Sequence, residues 1–152
     1  MKAIKKLTAI LLAALIALLG FGCGGKAFTE ETAKELVTDV IENVKFQQTL
    51  TESPEAMLGS LYDIPERVKV ESYSAGYPAD RFALFCAEDS AKIPEIKTML
   101  EAKVQELIDT YSSYDTTQVG KLENAIIETR GNYVIFIVTD DHENAKTVVG
   151  KY

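Results

Sequence analysis

Two stretches of this chain follow one plan, and that plan limits the fold more than any other feature. Residues 68–112 and 125–149 each read as strand, turn, strand, acidic cap and helix. Val68-Lys69-Val70-Glu71-Ser72-Tyr73 alternates with period two, as a half-buried strand does. Ala75 to Asp80 is turn-like, and Arg81 to Ala87 is a second strand. Glu88-Asp89-Ser90 then caps a long helix with apolar residues at Ile93, Ile96, Leu100, Val104, Leu107, Ile108 and Tyr111. Pro94 is tolerated because it falls in the first turn. In the second stretch, Ala125 to Thr129 and Tyr133 to Val138 are strands joined at Arg130-Gly131-Asn132, where Gly131 or Asn132 takes a positive φ. Thr139 or Asp140 caps the last helix, and Asp140 with Glu143 forms a variant capping box.

Displaced by 51 positions, Phe82 meets Tyr133, Leu84 meets Ile135, Phe85 meets Phe136 and Asp89 meets Asp140. Two explanations stand: an old duplication, or convergence of any buried strand that leads into a capped helix. Ahead of these units, Thr29 caps a helix over about 30–45 whose apolar face is Ala33, Leu36, Val37, Val40, Ile41 and Val44. Ser53-Pro54 starts a shorter one that ends before Asp63-Ile64-Pro65, and 114–120 reads as a polar loop. The expected class is α+β: a four-stranded, mostly antiparallel sheet of two ββα units, with a helical N-terminal segment and helices packed on the sheet.

The first residues obey different rules. Lys2, Lys5 and Lys6 precede an apolar run from Leu7 to Leu19, followed by Gly20-Phe21-Gly22-Cys23. That run is shorter than the roughly 20 residues that span a bilayer. The order of charge, apolar run and small residues is that of a secretory signal peptide. Gly22-Cys23 resembles the bacterial lipobox, although Gly20 stands where that motif has leucine. The resemblance implies cleavage before Cys23 and a diacylglycerol, with palmitate-like acyl chains, on its sulfur. The expected organisation is a signal peptide over 1–22, a lipidated tether over 23–28 and one domain over 29–152. An uncleaved anchor or a plain secreted chain are the alternatives.

Lys121-Leu122-Glu123-Asn124-Ala125-Ile126-Ile127, then Gly131-Asn132-Tyr133, the apolar run to Val138 and Asp140 form a block. It resembles the bacterial lipoprotein family known as domain of unknown function 4358. Leu61-Tyr62, the strand after it, and Phe82 to Asp89 with the long helix follow the same family order from about Phe28 onward. The resemblance implies no activity, ligand or catalytic residue.

Charge narrows the partners. The chain carries −7, and loss of the three lysines ahead of Cys23 takes the mature part to −10. Such a surface does not suit nucleic acid, whose binding needs clustered lysine and arginine. It also repels anionic lipid, so membrane contact is expected only through the acyl chains on Cys23. Of the two cysteines, Cys86 lies in an apolar strand and reads as a small buried hydrophobe. The acid pairs Glu88-Asp89 and Asp140-Asp141 suit helix caps, and a hard cation is their alternative use. His142, the single histidine, reads as exposed at a helix start. Tyr73, Tyr77, Tyr111 and Tyr114 are read as half-buried at the core edge, or as an interface. No catalytic or metal residue and no cofactor are expected. The leading reading is a non-enzymatic, membrane-anchored extracytoplasmic binding module. A small-ligand sensor and a metal-assisted enzyme using Asp89, Asp140 and Asp141 are the alternatives, the protein or small-molecule partner being open.

Overall fold

A computed structural model describes residues 27–152. The signal peptide, Cys23 and all of the tether except Ala27 and Phe28 lie outside those residues. The elements in chain order are α1 (Glu30–Asn43), β1 (Thr51–Glu52), α2 (Glu55–Leu61), β2 (Val68–Ser74), β3 (Arg81–Ala87), α3 (Ile93–Tyr114), α4 (Val119–Glu123), β4 (Ile126–Arg130), β5 (Tyr133–Val138) and α5 (His142–Val149). Short 3-10 turns at Ser90–Lys92 and Thr116–Gln118 lead into α3 and α4.

The class is α+β with an antiparallel sheet, but the sheet has five strands rather than the expected four, in the order β1-β2-β3-β5-β4. The extra strand, β1, pairs Thr51 with Ser74 and Glu52 with Tyr73. Two residues are too few to show a period, which is why the sequence pattern does not mark it. The segment 114–120, expected as loop, instead closes with α4. There Leu122 is fully buried and fixes a short helix within a polar stretch.

β3 and β5 lie at the centre and are covered on both faces, so each is an almost unbroken apolar run. One face carries Phe82, Leu84, Ile135 and Ile137 beneath α1 and α5. The other carries Ala83, Phe85, Val134 and Phe136 beneath α3, α4 and Tyr62. Gly131, at φ +55, takes the positive φ of the two-residue β4–β5 turn.

The strands of the two ββα units fit a two-fold relation. Leu84 pairs directly with Ile135, its own counterpart under the 51-residue displacement. Such an axis runs perpendicular to the sheet and keeps each helix on its original face. Yet α3 covers one face and α5 the other, so the equivalence stops at the strands.

The antiparallel pairing of β3 with β5 sets Arg81 against Val138 and Cys86 against Tyr133. The domain thus has two ends about 20 Å apart, the length of a seven-residue strand. At one end Phe28 packs edge-on against Tyr133, with ring centroids 5.0 Å apart, beside the Gly131 turn. The loops after α1, β2, α3 and β5 meet at the other.

Candidate functional site

The loop end is held by a buried ion pair. Asp80, immediately before β3, is completely buried, and Lys121 in α4 is nearly so. Lys121 Nζ donates to Asp80 Oδ2 at 2.8 Å and to Gln47 Oε1 at 3.2 Å, and forms an ion pair with Asp140 Oδ2 at 3.0 Å. Two carboxylates and one amide oxygen thus surround the ammonium. A lysine so held ties these loops together as a clamp. Gln118, also buried, takes the Ala79 N–H on its Oε1 at 3.1 Å and donates to Gln47 Oε1 at 3.3 Å. Tyr77 Oη donates to Asp115 Oδ2 at 2.8 Å. Three contacts therefore zip residues 77–80 to residues 115–121, with Asp140 and Gln47 closing over the buried lysine.

Asp80 Oδ1 has no hydrogen-bond partner among the described residues. Buried acceptors without a partner are scarce in folded proteins, and such an oxygen calls for a water or a ligand donor. The Asp115 carboxyl is held below the usual carboxylate range, first by the Thr117 hydroxyl and then by the Tyr77 hydroxyl. Tyr111, Tyr114 and Tyr77 run side by side here, with centroids 5.1 and 6.2 Å apart. Tyr111 is buried, whereas Tyr77 and Tyr114 are exposed, so the half-buried reading fails for all three. It holds for Tyr73, which stacks on Phe82.

Asp141 replaces Asp140 as the residue before the last helix, and its carboxylate does not cap that helix. It accepts instead from the Lys45 N–H, the main reason its pKa falls, and from the Asn144 amide. Asp140 is not a cap either, because Lys121 draws it toward the clamp. Thr139 donates to the Lys45 carbonyl and receives the Asp141 N–H, which fastens the loop after α1 to the end of β5. Asp89 does cap, accepting from the Ala91 N–H. It follows the opposite end of β3, so Asp89 and the Asp140-Asp141 pair do not converge on one pocket. No group of three His, Cys, Asp or Glu side chains poised to hold a metal occurs among the described residues.

Cys86 is half-buried rather than buried, because near the end of the central strand it lines an open cleft with Lys34, Lys69 and Tyr133. His142 is likewise half-buried, 3.4 Å from Glu143. Among the described residues, no helix is long and apolar enough to cross a membrane.

Burial, followed by the bond to the Tyr114 hydroxyl, pushes the Tyr111 phenol up from 10.0 to about 12. Burial, followed by contact with Cys86, pushes Tyr133 up to about 12. Each folded pKa is raised, so the stability these groups supply is complete below pH 10 and is lost as pH climbs toward about 12. Denaturation midpoints should hold steady through neutral pH and fall above 10. Tyr111→Phe should flatten that fall, and an unchanged slope would remove Tyr111 as its source.

A two-faced α+β domain with a lysine clamp at one end is thus the class defined by the fold. The family model for a domain of unknown function (DUF4358) matches residues 42–139, and the chain belongs to that family. The match takes in Gln47, Asp80, Gln118 and Lys121, ends one residue before Asp140, and omits all of α1 but Glu42 and Asn43, whereas the sequence resemblance runs from about Phe28. No curated protein and no solved structure matches the chain. Asp80 and Lys121 escape sequence reasoning because they are 41 residues apart. The one available signal is Lys121 itself, which opens the block that carries the family resemblance.

Proposed function

We propose that this chain is a lipid-anchored, extracytoplasmic lipoprotein whose domain is a non-enzymatic binding module with its clamp end turned away from the membrane. The supporting observation is the separation of the two ends. Phe28 is packed on Tyr133, so only Cys23 to Ala27 remain as tether, with a reach of about 17 Å. The loops holding Asp80, Lys121 and Asp140 lie across the length of β3 from that entry point. A short tether at one end therefore leaves the other end as the accessible one.

The unpartnered Asp80 Oδ1 favours a second reading, a small donor-bearing ligand bound at the clamp. The metal-assisted alternative needs Asp89 beside Asp140 and Asp141, and their placement at opposite ends gives it no support.

Mass spectrometry of membrane-extracted protein tests the anchor. The expected product begins at Cys23 and carries a diacylglyceryl adduct on its sulfur. An unmodified chain beginning at Met1 would refute it.

A further inference from the structure

The outer edge of β2 is open over most of its length. β3 pairs with β2 from Val68 to Ser74, but β1, on the other side, reaches only Tyr73 and Ser74. The Ser53 N–H then takes the Ser72 carbonyl at 2.7 Å, and the chain turns away into α2. The register fixes which backbone groups are left over. The Ser72 carbonyl faces outward, whereas the Arg67 carbonyl takes the Glu88 N–H on the β3 side. Alternate residues of an antiparallel strand turn to opposite neighbours, so Lys69 and Glu71 bond to β3 while Val68 and Val70 face outward. The N–H and C=O groups of Val68 and Val70 have no strand beside them among the described residues. Both valines line a cleft of about 490 Å³, walled opposite by Leu58, Gly59 and Ile64.

We propose that an extended segment of a partner protein adds to the sheet here, as a strand along Val68 to Ser72 in line with β1. The occupant is named by the backbone groups themselves, since unpaired N–H and C=O groups along a strand edge are a template for another strand. The open stretch is about 14 Å long at 3.4 Å per residue, room for about five residues of partner. The opposite edge of the sheet is blunted: on β4 the Arg130 guanidinium already takes the Thr129 carbonyl at 3.0 Å. The pleat specifies the partner's side chains. Val68 and Val70 lie on the face of Ile64, and Lys69 and Glu71 on the face of α1. An added strand therefore presents apolar residues to Leu58 and Ile64 and polar residues on its other face. Charge specifies one end. Glu52 and Glu55 stand where β1 gives way to the cleft, and neither is in an ion pair among the described residues. A lysine or arginine at the Ser72 end of the partner segment is matched to them. Ser53 Oγ, which lines the same end, is buried without a hydrogen-bond partner, so this end lacks polar groups that a partner backbone supplies.

This surface lies away from the clamp, and the inference does not depend on the acyl anchor. The test uses the full chain in zwitterionic nanodiscs, with empty discs as baseline. The probe is a peptide of about eight residues, two lysines followed by alternating threonine and valine, which spans the open edge. Amide hydrogen exchange resolved by residue should slow at Val70 at least about tenfold when the peptide binds, and stay unchanged at Lys69 and Glu71, whose N–H groups already face β3. N-methylation of every second peptide residue should abolish binding in one phase and spare it in the other, because only alternate N–H groups meet β2. Val70→Pro removes an outward N–H that β3 does not use, and should weaken binding at least about tenfold while keeping the fold. Glu52→Lys with Glu55→Lys should weaken it as well, and should favour a peptide with two glutamates in place of the lysines. No binding above empty discs, protection confined to other strands, or equal effects of the two N-methylation phases would each overturn the proposal. Slow exchange at Val70 that grows with protein concentration alone would overturn it too, by assigning the edge to a second copy of this chain. The Cys23 adduct is read separately, so failure of the anchor and failure of the strand edge are distinguishable.

Discussion

Replacing Lys121 with methionine should cost about 3–5 kcal/mol of folding free energy, the usual penalty for removing one partner of a buried ion pair. Methionine nearly conserves the volume, so the loss is electrostatic. Asp80, fully buried, would be left with neither carboxylate oxygen hydrogen-bonded among the described residues, since Oδ1 already lacks a partner. For a domain of this size the melting temperature should fall by roughly 10–20 °C. Thermal and denaturant unfolding measure both quantities. Pairing Lys121→Met with Asp80→Leu should recover most of the loss, because an apolar pair carries no desolvation penalty. Asp140→Ala should cost only about 0–1 kcal/mol, since that carboxylate is 72% exposed and its attraction is screened. A Lys121→Met protein within about 1 kcal/mol of wild type would show that the pair is not what closes this end of the domain.

That pair also marks the limit of what sequence pattern reveals. β3 and β5 are legible because two covered faces demand apolar residues at every position, and Phe82 to Phe85 and Val134 to Val138 supply them. The β4–β5 turn is legible because Gly131 meets a local need for positive φ. The long helix is legible from the spacing of Ile96, Leu100 and Tyr111, which are its buried residues. By contrast, α4 exists because Leu122 fills a place beneath α3, a tertiary demand invisible within residues 119–123. The acids after β5 looked like caps because local chemistry suits them to it. Lys121 and the Lys45 N–H, both distant in sequence, recruit them instead. Local rules identify the elements, whereas the clamp arises where four loops meet.

Truncation of Tyr62 to alanine should cost about 3 kcal/mol, and its effect should be felt first in α2. Tyr62 is 3% exposed and meets both Phe85 and Phe136 edge-on, with centroids at 5.2 and 6.4 Å. It follows the last residue of α2, and its N–H closes the helix on the Leu58 carbonyl at 2.9 Å. Because no residue within α2 is buried, this ring is the main tie between that helix and the core. Hydrogen exchange across residues 55–61 should accelerate well before α3 or β3 is affected, since weakly packed segments open locally. Tyr62→Phe keeps the ring and loses only a long hydroxyl contact, 3.4 Å to Ser72, so it should cost less than about 1 kcal/mol and leave α2 protected. Equal exchange in α2 for wild type and Tyr62→Ala would mean that Leu58 and Leu61 hold the helix unaided.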